Sequence, residues 1–235
     1  MKPNRYLLNP HSLCLTLDSV SEALFFKEQI PESQRIAVAK WIARRQGLPG
    51  AYADMFAPAE ADARGIHLFT GEAIRSRAGI AHILGEECCR VLVLLGVKDR
   101  QVEDSLARAV RGFSARLAES ETRGYSPGLY CCGTCSAAYW RNLAIGLLPR
   151  AEERLRLGLA KLKCARAGAG KWGRFPFFYT CLALTEIGPD LAKGEMQYAA
   201  AYWQRNLKRR SLAEGQTSKR RAAVGQRLLE MCETR

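Results

Sequence analysis

Residues 99–119, DRQVEDSLARAVRGFSARLAE, carry the clearest periodic signal in the chain. Val102, Leu106, Val110, Phe113 and Leu117 recur at spacings of three or four, which puts them on one face of an α-helix. Upstream, a long helix is expected over 73–95, with Thr70 as its N-cap and Gly79 and Gly85 as points of interruption or close packing. Two shorter helices come earlier. One covers 19–29 and stops before Pro31; the other carries Ile36, Ala39, Trp41, Ile42 and Ala43 and ends at Gly47. Between Gly47 and Gly71 lies a long irregular connection with Pro49, Gly50, Pro58 and Gly65, plugged into the body by Met55 and Phe56.

Downstream the scheme repeats. A Gly/Pro connection at 123–128 leads to a helix over 131–146 and a partner over 149–165, striped by Leu155, Leu159 and Leu162. A glycine-rich loop follows at 168–173. Further helices are expected over 177–187, 195–209 and 218–233. With about eight or nine helices and almost no sheet, the fold class is all-α, built of consecutive antiparallel helix pairs. An incomplete α/α toroid or a helical-repeat array would satisfy this pattern. The expected division is a helical-repeat domain over 1–204, enclosing a central cavity, and a basic helical extension over 205–235.

Composition narrows the class. The chain has 235 residues, 48% of them hydrophobic, so it can bury a core without disulfide staples. The nine cysteines are odd in number, and two pairs are adjacent, Cys88–Cys89 and Cys131–Cys132. That pattern suits a reducing, cytoplasmic setting better than an exported disulfide scaffold. Asn9, Pro10 and His11 interrupt the apolar residues after Lys2 and Arg5, so no secretory signal is expected. The apolar run 91–97 is too short to span a bilayer, and no transmembrane segment is expected.

Three loops couple a Gly/Pro reversal to aromatics at a helix entry: Gly50–Tyr52, Gly128–Tyr130 and Gly173–Phe178. Two of them run into helices carrying Thr134–Tyr139 and Tyr179–Leu184. In this the chain resembles, over roughly 31–187, the helical toroids of the terpenoid cyclase and protein prenyltransferase superfamily. The resemblance implies inner and outer helices around a cavity. The cyclases' aspartate-rich run is absent here, and no Asp/Cys/His zinc set matches residue by residue, so the resemblance carries no catalytic assignment.

The sharpest chemical motif is Tyr130-Cys131-Cys132-Gly133-Thr134-Cys135. Cys132 and Cys135 have the C-x2-C spacing that lets two thiolates grip one Zn²⁺. A second C-x2-C is absent, and the histidines are His11, His67 and His82. His82, Glu86 and Cys89 are spaced by four and three, hence on one helical face. A mixed metal site from His82, Cys89, Cys132 and Cys135 is therefore one expectation, with Glu86, His82 and Cys132 as catalytic candidates. Cys132 near a helix N-terminus is also a candidate reactive thiol. The competing reading is structural: free cysteine packs as a small hydrophobe, and His82 bonds Glu86.

Gly168-Ala169-Gly170-Lys171 looks phosphate-friendly, yet it follows a helix end and lacks Ser or Thr after the lysine. With Trp172, Phe175, Phe177, Phe178 and Tyr179 nearby, it is better read as the rim of an aromatic cavity. Lys171 and Arg174 would there meet the phosphate of an apolar or phosphorylated small molecule. The formal charge is +13 and the pI about 9.6. Residues 205–235 hold nine basic and three acidic residues, a net +6. The runs Lys208–Arg210 and Lys219–Arg221 could meet nucleic acid or another anionic partner.

Three functions are consistent with these residues. The leading expectation is a helical ligand- or partner-binding protein with an aromatic-lined cavity and no catalytic motif. The alternative is a metal- or thiol-dependent enzyme using the His82/Glu86/Cys89 and Cys132/Cys135 segments. The third is a nucleic-acid accessory protein using the C-terminal basic runs.

Overall fold

The computed structural model describes residues 6–211 and 214–233, with the side chains of residues 209–211 outside that description. Among these residues the fold is all-α, with nine α-helices, and helices one element apart in the chain pack on each other as often as consecutive ones do, so the expected arrangement in consecutive pairs holds only in part. The only strands described are two residues each, β1 (Ile66–His67) and β2 (Ala73–Ile74), paired antiparallel with Ile66 opposite Ile74. No helix among the described residues is long and apolar enough to cross a membrane. The chain forms two compact units. The first runs to Leu68 and includes Ala73–Glu119; the second takes Phe69–Glu72 and everything from Ser120 onward.

The first unit contains α1 (Leu13–Phe25), α2 (Glu32–Ala43), α3 (Arg77–Leu95) and most of α4 (Arg100–Thr122). Helix α1 starts earlier than expected because a distant carboxylate caps it. Asp62 accepts from the Ser12 hydroxyl at 2.6 Å, from the Leu13 and Cys14 amides at 3.0 and 3.2 Å, and from the Ala59 amide at 2.8 Å. One buried side chain thus satisfies orphan amides of α1 and pins the 3-10 turn Glu60–Arg64. Helix α3 begins at Arg77 rather than near residue 73. Ala73 and Ile74 are held in the strand pair, and Ser76 is the N-cap, accepting from the Gly79 amide at 3.2 Å. Helices α1 and α2 both pack on α3. Helix α4 rests on the 46–54 connection, where Arg116 donates to the Tyr52 hydroxyl at 3.2 Å.

The second unit is built from α5 (Gly133–Ala144), α6 (Ala151–Cys164), α7 (Phe177–Ile187), α8 (Pro189–Ser211) and α9 (Gln216–Glu233). Helix α8 crosses residues 204 and 205 without a break and packs on α9. Helix α5 touches both α6 and α7. Its approach to α6 depends on two glycines: a Cβ on Gly158 would lie 2.5 Å from the Gly128 carbonyl and from the Trp140 indole nitrogen. That indole instead donates to the Gly128 carbonyl at 2.8 Å. Between α5 and α7, buried Arg141 grips Glu186 with both arms at 2.7 and 3.1 Å and donates to the Tyr179 hydroxyl at 3.2 Å. A bidentate pair this well satisfied favours one packing of the two helices.

Candidate metal centre and the two cysteine pairs

The opening of α5 gathers three thiols. Cys132 is the N-cap, in extended backbone, and its sulfur accepts from the Cys135 amide at 3.5 Å. Ser136 locks the turn: its hydroxyl donates to the Cys132 carbonyl at 2.8 Å and accepts from the Tyr130 amide at 2.9 Å. The thiols of Cys131 and Cys135 both hydrogen-bond the Cys132 sulfur, and the Thr134 and Cys135 amides add to them. Together they hold the Cys132 thiol down to about 2. The sulfurs of Cys131 and Cys135 lie within 4.8 Å of each other and belong to the side chains able to hold a metal ion. Cys135 is buried, whereas Cys131 and Cys132 are exposed, so the cluster has a floor and an open side.

Glycine at position 133 is what lets the turn form. A Cβ there would stand 2.0 Å from the Arg174 carbonyl, so the 173–175 loop lies directly against the first turn of α5. The loop is held by Phe175, whose ring stacks on Trp140 at 5.5 Å. Arg174 itself takes the left-handed conformation and is exposed. Sequence reasoning singled out Cys132 and Cys135 but left Cys131 out of the ligand set. Its signal was the third sulfur in C-C-x2-C, which reaches the others only because Cys131 and Cys132 precede the helix rather than lying within it.

No protein-family model matches the chain, and no curated protein and no solved structure matches it either. The functional reading therefore rests on the chain's own residues.

The expectation of a binding protein without a catalytic motif is overturned by the thiol cluster. The rings expected to line a cavity pack on one another. Phe177 meets Tyr202 at 4.4 Å, Trp203 at 5.7 Å and Trp172 at 5.9 Å, with Trp203 fully buried. Aromatic faces and edges at these separations form core contacts. Lys171 lays its ammonium over Tyr202 at 4.9 Å and Phe177 at 5.8 Å.

In the first unit, His82, Glu86 and Cys89 do share one face of α3. His82 Nε2 stands 3.5 Å from the Glu86 carboxylate, and the Tyr52 ring stacks on the imidazole at 4.2 Å. Cys89 and its neighbour Cys88 are fully buried. Burial is the main reason both thiols are pushed well above the usual range, with the Glu86 carboxylate adding to the effect at Cys89.

Of the C-terminal basic runs, Lys208 and Lys219 are exposed, and the side chains of Arg209 and Arg210 lie outside the described residues. Arg220 is buried over the Phe69 ring and donates to the Phe69 carbonyl at 3.3 Å. Arg221 donates to the Thr70 carbonyl at 2.7 Å and covers the Phe178 ring. These two guanidiniums hold the Phe69–Glu72 segment. Glu72 in turn accepts from the Tyr179 amide at 3.0 Å, capping α7.

Proposed function

We propose that the chain is an enzyme whose chemical centre is a thiolate-bound, zinc-like metal ion held at the opening of α5. The convergence of Cys131, Cys132 and Cys135 carries this reading. Soft thiolates select zinc and related ions, and three of them leave one tetrahedral position for a further ligand. The exposure of Cys131 and Cys132 keeps one side of the cluster open to solvent, as a catalytic site requires and a structural one does not. Amides of the first helical turn favour the anionic sulfur before any ion arrives. Such an ion would supply Lewis acidity toward a bound oxygen. This reading does not depend on toroid ancestry.

The test is metal analysis of protein purified without added metal. About one tightly held soft divalent ion per chain is expected. Cys132→Ser and Cys135→Ser should each lose it while keeping the helical circular dichroism. Cobalt substitution should give a sulfur-to-metal charge-transfer band that weakens in both variants. Metal-free protein that also gives no thiolate band with cobalt would remove the proposal. The nitrogen donor anticipated from the sequence, His82, is a separate arm. His82→Ala should weaken retention of the ion without abolishing the thiolate band, and unchanged retention would take His82 out of the set.

A further inference from the structure

Within the second unit, basic side chains gather around the loop that joins α6 to α7. Between Glu153 and Glu186 the sequence contains no Asp or Glu, and five Lys or Arg fall between 161 and 174. The loop is fixed on α8 by its backbone. The Gly168 amide donates to the Tyr198 hydroxyl at 2.8 Å, that hydroxyl donates to the Lys171 carbonyl at 3.0 Å, and the Lys171 amide returns to the Gly168 carbonyl at 3.0 Å.

Three segments bring charge to this turn. Arg205 of α8 donates to the Ala169 carbonyl at 3.3 Å, and Lys208 follows three residues on, hence on the same face of α8. In the loop, the Lys171 ammonium stands 4.9 Å from the Tyr202 ring. Lys163 lies three residues before Arg166 at the end of α6, where the Arg166 guanidinium sits over the Tyr198 ring at 4.4 Å. Arg174 follows a bend in which the Gly173 amide donates to the Ala165 carbonyl at 2.8 Å. Lys163, Lys171, Arg174, Arg205 and Lys208 are all exposed, and none pairs with a carboxylate among the described residues. Glu195, the carboxylate that reaches this loop, is buried and already engaged, by Arg166 at 2.7 Å and by the Trp172 indole at 2.8 Å. The exposed residues at the tip, Ala167, Gly168 and Ala169, are small, so no bulky side chain holds a partner's backbone at a distance.

What the face lacks selects its partner. A membrane-surface site interleaves basic residues with exposed Leu, Phe or Trp. None of the exposed large hydrophobics among the described residues falls within 160–175 or 193–208. Trp172 and Tyr202 are buried, which leaves no platform for unpaired bases. Fixed cations without apolar anchors or stacking rings match the phosphates of a paired backbone. We infer that this face binds the sugar-phosphate backbone of a nucleic-acid duplex without regard to sequence. Lys163, Lys171, Arg174, Arg205 and Lys208 supply the phosphate contacts. None of them belongs to the thiol cluster, so the face and the metal centre are tested separately.

The probe is a fluorescein-labelled DNA duplex of about 18 base pairs and mixed sequence, read by anisotropy with the full chain. Five phosphate contacts predict a slope of about −4.5 for the logarithm of the association constant against that of the salt concentration. Lys171→Gln/Arg205→Gln should reduce the slope by about 2 and weaken binding at least about tenfold at roughly 100 mM salt. The side chains of Lys163 and Lys208 hold no hydrogen bond or ion pair among the described residues, so Lys163→Gln/Lys208→Gln tests the face without disturbing the loop and should reduce the slope equally. Lys98→Gln/Arg100→Gln removes two exposed charges from the first unit and should leave the slope unchanged. A duplex of scrambled sequence should bind within about twofold. No saturable binding at about 50 mM salt, equal losses in all three double variants, or equal competition by polyglutamate would each overturn the assignment. So would tighter binding of a single strand than of the duplex, or binding to phosphatidylserine vesicles with none to the duplex.

Discussion

Two adjacent cysteine pairs occupy opposite chemical worlds in this protein. Cys88 and Cys89 sit in the body of α3, fully buried, with their thiols pushed up by desolvation. Cys131 and Cys132 sit just before α5, exposed, with the Cys132 thiol drawn down by sulfur and amide donors. The dipeptide is the same, and what differs is position relative to a helix. Inside a helix nearly every nearby amide is already bonded to a carbonyl, so a buried sulfur finds few donors to offset its desolvation. Ahead of the first turn the amides are free, and a sulfur can accept from them. The opening of α5 therefore surrounds with donors a residue type that α3 uses as packing.

The largest expected consequence is kinetic. In chelator-treated protein, iodoacetamide should label Cys131 and Cys132 at least about a thousandfold faster than Cys88 and Cys89, because the latter react only through opening of the core. Peptide mass spectrometry after timed quenching reads this directly. Comparable rates for the two pairs would erase the contrast.

Gly133→Ala attacks the geometry instead. The new Cβ would meet the Arg174 carbonyl at 2.0 Å, so the loop or the helix start must move. A loss of about 2–3 kcal/mol is expected in urea denaturation, together with slower labelling of Cys132. A neutral result would mean that the first turn of α5 is not held by the 173–175 loop.

Serine substitution sharpens the contrast at smaller scale. Cys89→Ser buries a hydroxyl in place of a thiol and should cost about 1–3 kcal/mol. Cys131→Ser, at an exposed site, should stay within about 0.5 kcal/mol while lowering metal retention. Equal stability losses at the two positions would show that the exposed pair is structural as well.

Much of the fold was legible because amphipathic periodicity survives any tertiary detail. Val102, Phe113 and Leu117 are buried on α4, and Leu155, Leu159 and Leu162 on α6, as their spacing requires. Helix starts were less legible where a distant group sets them. Asp62 lies 49 residues from Leu13, whose amide it accepts, and no local pattern announces that contact. The start of α3 moved for a similar reason, since Ala73 and Ile74 pair with a strand that short-range propensity does not reveal. The aromatic run near residue 177 showed that rings would gather, but not whether they would enclose a space or fill it. Only the tertiary structure between α7 and α8 brought Phe177 against Tyr202 and Trp203.

By itself the sequence determined an all-α chain and marked C-C-x2-C as the place where chemistry could occur. Periodicity and ligand spacing are local properties, written in residues three or four apart. The tertiary structure alone decided which cysteine pair is buried and which is exposed beside free amides. It also decided that Arg220 and Arg221 hold the Phe69–Glu72 segment. Burial, and the identity of the groups that meet a charge or a sulfur, depend on residues far apart in the chain, so no short stretch of sequence contains them.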